Sequence, residues 1–134
     1  DSTLLNSVRI WADDFVPFLI EHNLPCEITL YTDGSYQLVE LPQIAYGINA
    51  LYSGIQTLAD ISGENRYQRY AKQIFGWFSG TNPAQEQMYW PKTGITFDGI
   101  NEDKKVNRNS GAESTIEGLL SQQRNYYRKL SGKK

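Results

Sequence analysis

The chain has 134 residues, 40% of them hydrophobic and 21% charged, with a net charge of −2. That is enough for one helical domain over 1–134 with its own core, and too apolar for a disordered segment. The acidic balance excludes the basic stripe of a general nucleic-acid binder, and no run reaches the ~18 apolar residues of a membrane span. The basic end, Arg128 to Lys134, reads as a solvated tail. One cysteine, Cys26, excludes an intrachain disulfide and is expected to pack as a small hydrophobe. No signal-peptide pattern is read, and a cytoplasmic location is expected. The chain begins at Asp1 rather than Met, which reads as a fragment or a processed product. Aromatics make up 13% of the chain, a share that suits half-wet sites where a ring packs and a polar tip bonds.

In chain order, Val8, Trp11, Ala12, Phe15 and Leu19 predict a helix over 7–22, kinked or restarted at Pro17. Asp13 and Asp14 are adjacent and so do not face each other on that helix. The lone His22 has no evident triad partners. The period then changes. ITLYT and SYQLVE flank Asp33-Gly34, which predicts a β-hairpin with a two-residue turn, strands near 28–32 and 35–39. Pro42 is read as the start of a second helix over 43–61, with an apolar stripe through Ile44, Ile48, Leu51, Ile55 and Leu58. Gly47 and Gly54 weaken that helix, and close approach of a neighbouring backbone is the expected gain. Ser62-Gly63 closes it. A third helix runs to Phe78 and forms an antiparallel αα-hairpin with the second.

The stretch from Thr81 to Asn109 is long for a loop in a compact domain, and such loops tend to carry function. Met88-Tyr89-Trp90 and Ile95-Thr96-Phe97 are expected to pair across Pro91–Gly94, and Asp98-Gly99 reads as a further turn. The last helix is predicted from Ser110 to Lys129. Ala112, Ile116, Leu119, Leu120, Tyr127 and Leu130 form its stripe, and Ser110–Glu113 fits a capping box.

The candidate site lies in that loop and at that helix start. Asp98 and Glu113 are the candidate catalytic carboxylates. Each has a structural reading beside it: a turn residue for Asp98, a capping residue for Glu113. A glycosidase pair stands roughly 5–5.5 Å apart for retention or 6.5–9.5 Å for inversion. Tyr89 and Trp90 offer stacking faces, Asn107, Arg108 and Asn109 offer donors, and Tyr46 and Asn49 border the site from the second helix. The same Asn and Arg donors also suit bonds that tie the loop to the helices. One His and one Cys make no zinc set, and no phosphate-binding glycine loop is present. No cofactor is expected.

WFSGTNP, MYWPKTGITFDGI and VNRNSGAESTIEGLL, within residues 43–121, resemble the C-terminal portion of bacterial α/α-toroid proteins of the six-hairpin glycosidase superfamily. The resemblance is to an uncharacterised branch that accompanies carbohydrate-active enzymes. It implies a mainly α-helical fold, αα-hairpins of an incomplete α/α toroid with one or two small β-hairpins. It also implies a sugar-related role. A full toroid of that kind has twelve helices, whereas about four are read here. The expectation is therefore a terminal piece that binds or processes saccharide without being catalytic alone. Its expected associates are the rest of a longer chain or other copies of itself, with neither nucleic acid nor membrane as partner. The alternative is a non-catalytic helical interaction module.

Overall fold

The structure, a computed structural model, describes residues 2–130. Residues 131–134 of the basic tail lie outside the described residues. Five α-helices are present among those described: α1 (Ser2–Asp14), α2 (Val16–Glu21), α3 (Ala45–Ser62), α4 (Asn65–Phe75) and α5 (Ala112–Leu130). Short strands join them: β1 (Glu27–Leu30), β2 (Tyr36–Val39), β3 (Gln43–Ile44), β4 (Tyr89–Trp90), β5 (Ile95–Thr96), β6 (Gly99–Ile100) and β7 (Val106–Asn107). The architecture is mainly helical, with small antiparallel sheets ordered β1-β2, β4-β5 and β3-β6-β7.

The predicted first helix begins earlier than expected, at Ser2, and is divided at Phe15. Pro17 sits in the first turn of α2, where a missing N–H leaves no helical bond unmade. The buried face is also turned. Ala12, Val16 and Leu19 face the core, while Val8 and Trp11 are exposed.

The β1–β2 hairpin forms as expected, but its turn holds three residues. Gly34 alone is left-handed, at φ +85. Its N–H donates to the Tyr31 carbonyl at 3.0 Å, and the Tyr31 N–H donates to the Ser35 carbonyl at 2.9 Å. A type I turn followed by a left-handed glycine is the three-residue solution to the same twist problem. Asp33 accepts from the Ser35 hydroxyl at 2.6 Å and the Ser35 N–H at 2.9 Å. Those bonds hold its carboxyl below the ordinary aspartate range. Cys26 does not pack inside: it is exposed, and its thiol donates to the Val39 carbonyl at 3.2 Å.

Pro42 does not open the second helix. It precedes β3, whose pairing to β6 (Gln43↔Ile100, Ile44↔Gly99) takes the backbone before α3 can begin at Ala45. The α3–α4 hairpin is as expected, and Gly63 closes α3 at φ +70 with its N–H on the Ala59 carbonyl. Gly47 and Gly54 bring no neighbouring backbone close. A Cβ at Gly54 meets nothing within 4 Å, and one at Gly47 meets only the Ile44 side chain at 3.8 Å.

The core joins Ile48, Tyr52, Ile55 and Leu58 of α3 to Tyr67, Ala71 and Ile74 of α4. Trp77 and Phe78, on the 3-10 turn Gly76–Ser79, close one end with Met88 and Ile100. One buried polar group stitches this end together. Gln43 accepts the Trp77 indole N–H at 2.7 Å and donates to the Asn23 and Leu24 carbonyls at 2.6 and 2.9 Å. The β4–β5 pairing occurs as expected, Tyr89↔Thr96 and Trp90↔Ile95, across a turn with Gly94 at φ +74.

Candidate functional site

Helix α5 has two stripes of helical spacing. One is apolar: Ala112, Ile116, Leu119, Leu120, Tyr127 and Leu130. The other is small and polar: Ser114, Glu117, Gly118, Ser121, Arg124 and Arg128. The usual arrangement buries the apolar stripe, and that was the expectation. The structure reverses it. Ser114, Gly118 and Ser121 are buried, while Ile116, Leu119, Leu120, Tyr127 and Leu130 are exposed. Close contact is the cause. A Cβ at Gly118 would stand 1.9 Å from the hydroxyl oxygen of Thr96, itself fully buried on β5. Only the small stripe lets α5 come this near to β5.

The turned helix presents polar side chains to α3. Asn49 donates its amide to the Glu117 carboxylate and accepts the Ser121 hydroxyl at 2.6 Å. Arg124 donates to the Ser53 carbonyl at 2.9 Å and the Thr57 hydroxyl at 2.8 Å. Arg128 reaches Gln68 on α4 at 3.0 Å. Between α3 and α5 lies a groove of about 670 Å³, lined among others by Asn49, Ser53, Asp60, Gln123, Arg124 and Tyr127. Its lining brings amide, hydroxyl, carboxylate and guanidinium groups together with the exposed Tyr127. Tyr52, in the core on α3, has a buried hydroxyl without a hydrogen-bond partner. Burial pushes it up to about 12 against the opposing pull of Arg128 and Arg124, so it stays neutral.

Asp98 sets the geometry of this groove. Its carbonyl accepts the Ala45 N–H at 2.9 Å, the first orphan donor of α3. Its carboxylate accepts the Gly111 N–H at 3.1 Å and the Ser114 hydroxyl at the start of α5. One residue thus holds the N-termini of both groove helices. The turn expected at Asp98-Gly99 is instead the entry to β6, and the capping box expected at Ser110–Glu113 does not form. Ser110 bonds the Thr115 hydroxyl at 3.1 Å, and Glu113 is exposed in the first turn of α5, where its charge favours the helix dipole. The cap comes from 13 residues upstream, so no local pattern reveals it. Asp98→Ala is expected to cost about 1–2 kcal/mol of stability by loss of that cap, and Asp98→Asn less. Urea unfolding with an unchanged slope is the measurement.

The other predicted site residues divide between the groove and its supports. Asn49 lies in the groove, and Tyr46 is exposed one helical turn before it on α3. Asn107 is part of β7, and its side chain accepts the Asn109 N–H at 3.2 Å, while the Asn109 carbonyl accepts the Asp98 N–H at 2.9 Å. Arg108 pairs with Glu86 at 2.5 Å and lies 5.3 Å over the Phe97 ring. Tyr89 is half-buried on β4, with Trp90 exposed beside it. Sequence reasoning missed Glu117, Ser121, Ser53 and Arg124. For Glu117, Ser121 and Arg124 the signal is the polar stripe of α5, which repeats at three- and four-residue spacing; Ser53, on α3, carries no such signal.

Among the described residues, no three His, Cys, Asp or Glu stand together as a metal site, and no helix is long and apolar enough to cross a membrane. A second groove of about 890 Å³, between α2, α4 and residues 80–85, contains none of the candidate residues. Comparison of the chain with protein-family models and with curated proteins finds no match.

Proposed function

We propose that this chain is a wall segment of an α/α toroid, that it binds saccharide in the α3–α5 groove, and that it is not catalytic on its own. The observation that carries this reading is the groove itself, lined by Asn49, Ser53, Asp60 and Arg124 together with the exposed Tyr127. Hydroxyl-rich ligands suit hydrogen-bonding groups beside an aromatic ring, and the residues lining this groove include both. The absence of catalysis is argued from Asp98, whose carboxylate is committed to the Gly111 N–H and the Ser114 hydroxyl at the α5 N-terminus.

Calorimetric titration with neutral oligosaccharides of several linkages tests the proposal. Tyr127→Ala is expected to weaken binding about tenfold, roughly 1.4 kcal/mol, with the melting temperature unchanged. No heat with any oligosaccharide, or binding indifferent to that variant, would overturn it. A second reading, a non-catalytic helical interaction module, is favoured by a separate observation: the apolar stripe of α5 faces outward along its whole length.

A further inference from the structure

The outward stripe has a finer pattern than amphipathicity alone. Ala112, Ile116, Leu119, Gln123, Tyr126 and Leu130 are separated alternately by four and three residues, the a and d spacing of a heptad seam. All six are exposed, with Ile116 at 54%, Tyr126 at 60% and Leu130 at 65%. An ordinary surface helix keeps one such seam and buries it. Here α5 already meets the protein through Ser114, Gly118 and Ser121, so the seam is left over. Exposed apolar surface arranged in this way marks a contact with another helix.

The charges on α5 narrow what that helix is. Glu113 stands in its first turn, and Arg128 and Lys129 stand in its last. A helix laid antiparallel along the seam opposes the α5 dipole. It is favoured if its own first turn is acidic and its last turn basic. Helix α5 itself meets those conditions, because its pattern is complementary to its own reversal about the point between Leu119 and Gln123. In that register Ile116 meets the partner's Tyr126, Leu119 meets the partner's Gln123, and Glu113 meets the partner's Lys129. Gln123 is the single polar residue in the seam, and a lone polar residue there fixes register and partner number at some cost in affinity.

We propose that a second copy of this chain docks antiparallel along α5 through Ile116, Leu119, Gln123 and Tyr126, giving a two-fold dimer. The proposal rests on the interaction-module reading above and names its partner. Gln123 of the seam also lines the α3–α5 groove, whereas Ile116 and Tyr126 do not. They can therefore be changed without removing a residue of the proposed saccharide site, although the Tyr126 ring lies 6.1 Å from that of Tyr127.

The test is sedimentation velocity of the full chain from micromolar to submillimolar concentration. A monomer–dimer equilibrium is expected. Ile116→Lys with Tyr126→Lys is expected to weaken it about a hundredfold, with circular dichroism and melting temperature unchanged because both side chains are exposed. In a Cys26→Ser background, a mixture of Ile116→Cys copies and Tyr126→Cys copies is expected to cross-link under mild oxidation, since the register brings 116 of one copy against 126 of the other. A dimer that survives the double lysine variant, or a mixture of Ile116→Cys and Tyr126→Cys copies that stays uncross-linked, overturns the proposal. So does a wild-type chain that remains monomeric throughout. In that last case, binding of an apolar dye separates the two readings. Dye binding lost in the double variant leaves the interaction-module reading standing, with a different helix as partner. Dye binding unchanged removes that reading as well.

Discussion

Gly99→Ala is expected to destabilise the protein by about 3 kcal/mol, the upper end for an overpacked site. A Cβ there would stand 2.1 Å from the Gln43 carbonyl oxygen, 3.1 Å from its carbon and 3.2 Å from the Ile44 Cα. These are backbone atoms of β3, so no rotamer change relieves the clash. Gly99 lies on β6, the middle strand of the β3-β6-β7 sheet, and follows Asp98 directly. Moving β3 away disturbs the Asp98 carbonyl bond to Ala45 and, through it, the mouth of the α3–α5 groove. For a domain of this size the melting temperature should fall by roughly 10 °C. Amide exchange should rise at Ala45 and Gly111, the two helix-start donors that Asp98 accepts. A loss below about 1 kcal/mol would mean that β3 and β6 are not held in this register.

The second large effect is expected at Gln43. Gln43→Leu keeps the bulk but leaves the Trp77 indole N–H and the Asn23 and Leu24 carbonyls without their partner. Each buried group left unsatisfied costs about 1–3 kcal/mol, and partial hydration of the Asn23 carbonyl lowers the sum to roughly 3–5 kcal/mol. Trp77→Phe breaks only the indole bond and leaves one oxygen unpaired, so about 1–2 kcal/mol is expected from that bond. The order of the two variants in denaturant midpoint is the check. An equal loss in both would show that packing of the indole, and not the Gln43 bonds, holds this end of the core.

Both predictions concern the same junction, where strands too short to be stable alone are fixed by what they bring together. The β3-β6-β7 sheet aligns the start of α3 with the start of α5, and Gly118 then sets how near α5 lies to β5. The groove follows from these contacts and from the polar stripe they turn inward.

Much of this is written in the chain itself. The αα-hairpin of α3 and α4 follows from its apolar spacing and from Gly63. The division near Pro17, the β1–β2 hairpin and the β4–β5 pairing follow from local turn and backbone chemistry, because each depends on residues a few positions apart. What the local pattern does not decide is which of two competing faces a helix buries. Helix α5 carries an apolar stripe and a small polar one with the same period, and periodicity alone ranks the apolar stripe as core. The choice was made by Thr96, 22 residues before Gly118, whose buried side chain leaves room for a glycine and nothing larger. Likewise Asp98-Gly99 has the composition of a turn. Only the approach of Gln43 explains why the glycine is needed, and only the arrival of α5 gives the aspartate its helix to cap. Contacts between residues distant in sequence settled both. They placed the candidate site between α3 and α5, with the loop before α5 serving as its support.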